Sequence, residues 1–231
     1  MKGYVGRSVP RVEDYRFLTG GGRYTDDLNL EGQLHCAFLR SPHAHARILR
    51  IDLSRARRAP GVRAVLTGAD YVADGLAGIE HAANPVDALD IRKRAFTAPA
   101  GARIVELPHW PLARERVRHV GEPLAAVLAE TAFAARDAAE LIEVDYEPLP
   151  AVVSPEHALR EGAPQLQDEA PGNLCVSAEF GDAEATRDAL TRAAHVVRCE
   201  FVNNRVASCQ MEPRSAIGDY DPSTGICTLV S

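Results

Sequence analysis

His43 and His45, in the stretch Ser-Pro-His-Ala-His-Ala-Arg, are the residues whose types and spacing come closest to a metal site in this chain. On a strand, positions two apart share a face, and neutral imidazoles on one face can ligate a transition ion. A closed site also needs further ligands and a hydrogen-bond acceptor behind each imidazole. None stands near the pair, so both histidines read as structural. Glu122 and Glu212, each followed by a proline, are acid/base candidates by type. A carboxylate needs a closed, apolar pocket to reach a useful pKa, and a solvated turn residue is the plainer reading of each. Gly20-Gly21-Gly22 suggests a phosphate loop, but no Gly-Lys-Ser/Thr follows and no clear strand and helix flank it. The nucleophile elbow, the zinc-protease helix motif, the Walker loop and the dinucleotide fingerprint are all missing. Cys36, Cys175, Cys199, Cys209 and Cys227 form no Cys-x-x-Cys pair, which suits incidental thiols rather than a zinc site or an iron–sulfur cluster. No residue is therefore assigned a catalytic, cofactor-binding or metal-ligating role.

The elements that would position any chemistry are clearest between Arg118 and Val153. Pro123 to Ala129 is an unbroken apolar run, the pattern of a strand buried on both faces. Thr131 caps a following helix, with Ala134, Ala138 and Leu141 on one face and Ala135 and Ile142 beside them. Val144 and Tyr146 alternate with Glu143, Asp145 and Glu147 as a half-buried strand, which Pro148 and Pro150 end. Strand, helix and strand of this length make a βαβ-sized unit.

Elsewhere, residues 33–40 and the Ile48-to-Leu53 stretch read as strands. Leu53 to Ala59 suits a short helix, broken by Pro60-Gly61, and Val62 to Leu66 a further strand with a turn opening at Gly68. Residues 71–113 have no sustained period and read as a long irregular insertion, in which Trp110 suits half-buried packing. After one helical turn from Glu156 to Leu159, an extended connector runs to residue 175. Asp182 caps a second amphipathic helix with Ala185, Ala189, Leu190 and Ala193 inward. His195 to Val206, Ser215 to Tyr220 and Ile226 to Val230 read as strands, the last two joined by the turn Asp221 to Gly225.

Composition sets broad limits. With 46% hydrophobic and 25% charged residues, 231 residues suit one or two globular domains. The net charge of −6 and the lack of a long basic run argue against nucleic acid as a partner. No apolar run reaches the ~18 residues of a membrane span. The polar N-terminus has no signal-peptide core, so a cytoplasmic protein is expected.

Several stretches carry a family likeness: GRSVPRVEDYRFLTGGGRYTDDL, RSPHAHARI, APGVRAVLTGAD, VGEPLAAVLAET with ARDAAELIEVDYEPLPAVV, and Asn203-Asn204 followed by Met211-Glu212-Pro213-Arg214. Together, in this order, they resemble the N-terminal part of the molybdopterin-binding large subunit of the xanthine dehydrogenase and aldehyde oxidase family, most of all the bacterial carbon monoxide dehydrogenase-like type. The resemblance weakens between about 71 and 113. It implies an α+β fold, with an N-terminal strap over 1–18 and an α/β hammerhead domain with a mixed sheet over 19–150. A linker over 151–175 and the incomplete start of a molybdenum cofactor-binding domain over 176–231 follow. For a complete subunit it implies an oxidoreductase that hydroxylates aldehydes, N-heterocycles or related small substrates with water as oxygen source. The cofactor would be molybdopterin, in its cytosine dinucleotide form, with molybdenum. An FAD-binding medium subunit and a 2Fe-2S small subunit would be the partners. The family's Thr-Gln pair would begin where this sequence stops, at Ser231, and its glycine-rich loops and catalytic glutamate lie further on. The chain alone is therefore expected to be inert, a fragment completed by the rest of the subunit. A non-catalytic docking or assembly module derived from that subunit is the alternative.

Overall fold

The computed structural model describes residues 4–79, 103–105, 107–177, 181–204, 206–207, 209–211 and 213–231. It divides into two compact units, residues 1–33 with 197–231, and residues 34–196.

The first unit holds helix α1 (Asp14–Leu18). The triglycine closes it: Gly20 takes φ +76, the Gly21 amide donates to the Arg16 carbonyl at 2.8 Å, and a Cβ on Gly22 would meet the Phe17 ring at 2.9 Å. A phosphate is cradled by the amides of a helix N-terminus, and these glycines stand at a helix C-terminus.

The second unit carries the candidate site. Its strands begin with β1 (His35–Arg40), β2 (Ala46–Asp52) and β3 (Val62–Thr67). Helix α2 (Gly68–Ala73) follows, then the two-residue strands β4 (Arg103–Ile104) and β5 (Arg116–Val117). Next come β6 (Pro123–Ala129), α3 (Ala132–Glu140) and β7 (Glu143–Pro148). Helix α4 (Pro155–Ala158), β8 (Val176–Ser177) and α5 (Ala183–Arg192) complete it. In the first unit, β9 (Ile217–Asp221) and β10 (Ile226–Val230) pair as a hairpin.

β6 is the central strand of a sheet ordered β1-β6-β3, and its apolar run is buried as expected. A second sheet is ordered β5-β2-β7. The α+β expectation is met, but every ladder among the described residues is antiparallel, where a mixed sheet was expected. The strand–helix–strand stretch is also not one βαβ unit. β6 and β7 lie in different sheets, so α3 carries the chain from one sheet to the other.

Thr131 caps α3, accepting the Ala134 amide at 3.1 Å. The buried face is Ala135, Ala138, Ala139 and Ile142, with Ala134 and Leu141 only half-buried, a rotation from the expected stripe. Those small side chains sit on Val65, Ala125 and Val127 of the β1-β6-β3 sheet, together with Ala56. Alanine on both surfaces lets helix and sheet approach closely, so the layer tolerates little added volume. A second cluster, Ala46, Ala113, Val117 and Leu124, joins the β1-β6-β3 sheet to the second one.

Other expectations need correction. Leu53 to Ala59 holds a 3-10 turn over Ala56–Arg58 rather than a helix. Gly68 opens α2, not a simple turn: the Thr67 hydroxyl accepts the Asp70 amide while the Asp70 carboxylate accepts from the Thr67 amide, a capping box. Asp182 caps α5 as expected, accepting from the Ala185 amide at 2.8 Å, yet α5 buries no residue. An amphipathic pattern specifies a face but not the surface that covers it. The described part of 195–206 forms no strand, and Phe201 is 86% exposed. Alternation alone does not make a strand without a ladder to satisfy its amides. Most of the 71–113 insertion lies outside the described residues.

Candidate functional site

One cavity of about 270 Å³ opens in the second unit, between the Trp110–Glu122 segment and Gln167–Glu169. Its arginines each have a partner. Arg116 pairs with Asp168 at 3.2 Å, and Arg118 donates through Nε to the Leu166 carbonyl at 2.9 Å. The Arg114 guanidinium lies 4.5 Å from the centre of the Trp110 ring, whose edge Tyr71 meets at 6.4 Å. Trp110 is half-buried, as its lone occurrence suggested.

The wall from 166 to 174 is not an extended connector. Asn173, in the left-handed region at φ 58, holds three backbone groups: its Nδ2 donates to the Ala158 and Pro164 carbonyls, and its Oδ1 accepts the Leu166 amide. Sequence reasoning passed over this residue, although Pro-Gly-Asn is a turn signal.

Glu122 sits at the cavity edge with its side chain 15% exposed. Oε2 accepts the Arg118 amide at 2.5 Å and lies 3.6 Å from His119 Nδ1. Around it the loop is tied down at several points. The Glu122 carbonyl accepts from Ser41, the Gly121 amide donates to the Ser41 carbonyl, and Arg40 donates to the Gly121 carbonyl at 2.8 Å. Gly121 itself takes φ +87, a conformation that favours glycine. This is the geometry of a turn clasp, in which Oε2 holds the backbone amide of a residue four positions back. Glu212 lies outside the described residues.

His43 and His45 occupy the turn between β1 and β2, not a strand, so they share no face. His43 is half-buried with its ring edge-on to Tyr146 at 4.7 Å. His45 is 6% exposed, and its Nδ1 donates to the Pro150 carbonyl at 2.8 Å, which fixes the tautomer that leaves Nε2 bare. Burial raises the pKa of Tyr146 beside them. Nε2 of His45 is buried with no partner, and no group of three His, Cys, Asp or Glu among the described residues could hold a metal ion.

The comparisons with known proteins place this scaffold. The model for the aldehyde oxidase and xanthine dehydrogenase a/b hammerhead domain matches residues 19–95 and 85–150. The chain belongs to that family. It is 40% identical to the nicotine 6-hydroxylase large subunit of Paenarthrobacter nicotinovorans, over 94% of this chain and 24% of that protein. The crystal structure of quinoline 2-oxidoreductase from Pseudomonas putida 86 superposes with a TM-score of 0.74 at 38% identity, covering 99% of this chain and 27% of that one. A Cu,Mo-CO dehydrogenase structure superposes with a TM-score of 0.75 at 32% identity, covering 97% and 27%. The chain thus spans about a quarter of the length of the relatives it matches.

The family implies a molybdopterin, and the donor set described here does not fit one. Of the cavity's charged groups Arg116 is committed to Asp168, Arg118 to the Leu166 carbonyl, Arg114 to the Trp110 ring and Glu122 to a backbone amide, and each histidine of the pair has its own partner, Tyr146 or Pro150. No helix among the described residues is long and apolar enough to cross a membrane.

Proposed function

We propose that this chain is the hammerhead-bearing portion of a molybdenum hydroxylase large subunit, which positions the catalytic remainder and does no redox chemistry itself. The observation that carries the reading is collinearity: 40% identity runs through 94% of the chain to a hydroxylase large subunit four times as long. The complete enzyme would hydroxylate an aldehyde, an N-heterocycle or a related small molecule with an oxygen atom from water. Molybdopterin, in its cytosine dinucleotide form, would supply that chemistry from the remainder of the subunit. A 2Fe-2S small subunit and an FAD-binding medium subunit would complete a cytoplasmic assembly. The roles open to this chain's own residues are structural, as the engaged polar groups of its cavity support.

The test is production of the complete large subunit with its medium and small subunits, followed by turnover of N-heterocycles and aldehydes in isotopically labelled water. Label in the product and molybdenum in the large subunit are the expected results. An assembled complex that holds neither would contradict the proposal and favour a non-catalytic assembly module.

A further inference from the structure

The β1-β6-β3 sheet has two faces: α3 covers one, and the second sheet covers the other at its Leu124 end. Val65, Ala125 and Val127 point to the helix. The register places Phe38, Ala126 and Leu66 in one row across the opposite face, and Cys36, Leu128 and Ala64 in the next. Phe38 is 48% exposed and Leu66 41% exposed, and Cys36 is exposed beside them. All six side chains are apolar or weakly polar; Ala126 is buried between the two exposed side chains of its row, Leu128 and Ala64 are half-buried, and the apolar surface left to water is that of Phe38, Leu66 and Cys36. One end of the first row is rigid: Arg40 lies 5.8 Å over the Phe38 ring and donates to the Gly121 carbonyl in the clasped loop, where Val120 is 65% exposed.

The second sheet shows what a solvated face looks like in this fold. There Arg47 pairs with Glu147 at 2.9 Å and Arg50 with Asp145 at 4.0 Å across the β2–β7 ladder, all on exposed side chains. Across the first sheet the one such ion pair among the described residues joins Arg63 to Glu130, just beyond the end of β6 and away from Phe38 and Leu66. A sheet left to water on one side alternates apolar with polar residues, and this one does not.

We infer that the open face of the β1-β6-β3 sheet, with Val120 at its rim, is the seat for the molybdenum-binding remainder of the large subunit. The inference rests on the proposed function. The occupant is chosen by length. The relatives match 94–99% of this chain yet extend to about four times its span, so in each of them this same sheet is joined to that much further polypeptide. An apolar sheet face is buried by another layer of the same fold in most domains.

Cys36 is a native reporter of that burial. The chain is produced alone and as part of the complete large subunit, and each is treated with N-ethylmaleimide. Modification of the Cys36 peptide is followed by mass spectrometry, with Glu147→Cys on the ion-paired sheet as the open control. Cys36 is expected to react at least tenfold more slowly in the complete subunit, with the rate at the control position unchanged. Phe38→Glu, which replaces an exposed side chain, is expected to restore Cys36 reactivity in the complete subunit or to prevent its remainder from packing. Equal reactivity of Cys36 in a molybdenum-loaded subunit would overturn the inference and leave the proposed function standing. Slow reaction in the chain alone, lost on dilution to monomer, would overturn it in favour of a second copy as occupant. A complete subunit without molybdenum would overturn both.

Discussion

Leu124→Ala should be the most damaging single truncation in the second unit. Leu124 is fully buried in a cluster with Ala46, Ala113 and Val117, against which the half-buried Leu39, Ile48 and Tyr146 also pack. Ala46 and Ala113 have no side-chain reach. Ala46 and Val117 are paired with each other across the β2–β5 ladder, and Ala46 pairs also with Pro148 of β7. The Ala113 amide donates to the Pro123 carbonyl at 2.7 Å, which anchors the remaining wall. That part of the wall therefore has little freedom to collapse, and part of the cavity persists. Buried leucine truncations cost about 2–5 kcal/mol, rising with the volume left empty. With backbone-tied alanines on one side and Leu39, Ile48 and Tyr146 able to relax on the other, this one falls mid-range at about 3 kcal/mol, a large share of the roughly 5–15 kcal/mol that holds a domain together. Leu49 supplies the control, since it is 60% exposed on β2 in the same unit. Its truncation should cost less than about 0.5 kcal/mol. Urea unfolding followed by far-UV circular dichroism reads both variants against the parent. A cost below about 1 kcal/mol for Leu124→Ala, or equal costs for the two, would refute the packing argument.

Thr131→Ala removes the acceptor of the Ala134 amide and should cost about 1 kcal/mol, whereas Thr131→Ser should be nearly neutral; thermal unfolding distinguishes them. The Asp221 carboxyl accepts from the Ser223 and Thr224 hydroxyls and the Ser223 amide, which lowers its pKa from 3.8 to about 2. Because the folded pKa is depressed, that turn's contribution is present above the unfolded value and lost as pH falls through the folded one. Carbon-13 NMR of the carboxyl should titrate near that lower value, and Ser223→Ala with Thr224→Ala should bring it back toward 3.8. Replacing His43 and His45 with alanine should lower stability, mainly through the lost bond to Pro150, and leave zinc and nickel content unchanged; a stoichiometric metal lost in the double variant would contradict the structural role.

The parts of the fold legible in the sequence are those whose signal is local. The buried run from Pro123 to Ala129, the caps at Thr131 and Asp182, and the Asp221–Gly225 turn each follow from residues a few positions apart. What required the structure depends on distant partners. Nothing between Pro123 and Pro148 says that its two strands belong to different sheets, because sheet membership is decided by β1, β2 and β3. The alternation through Val197, Cys199 and Phe201 is a strand pattern without a ladder. The site shows the same division. Glu122 and His45 stood out by residue type. Their clasp and their tautomer are set by Ser41 and Pro150, from strand ends that meet only in the fold. The capping box at Thr67 and Asp70 was missed although its spacing lies in the sequence, because Gly68 pointed to a turn.

The central claim, that this chain is the scaffold of a molybdenum hydroxylase large subunit and not its redox centre, is tested most directly by metal analysis of two preparations. Inductively coupled plasma mass spectrometry is applied to the purified chain and to the complete large subunit, both from cells supplied with molybdate. The account predicts stoichiometric molybdenum in the complete subunit and none in the 231-residue chain. Stoichiometric molybdenum in the chain alone, or none in the complete subunit, would contradict it.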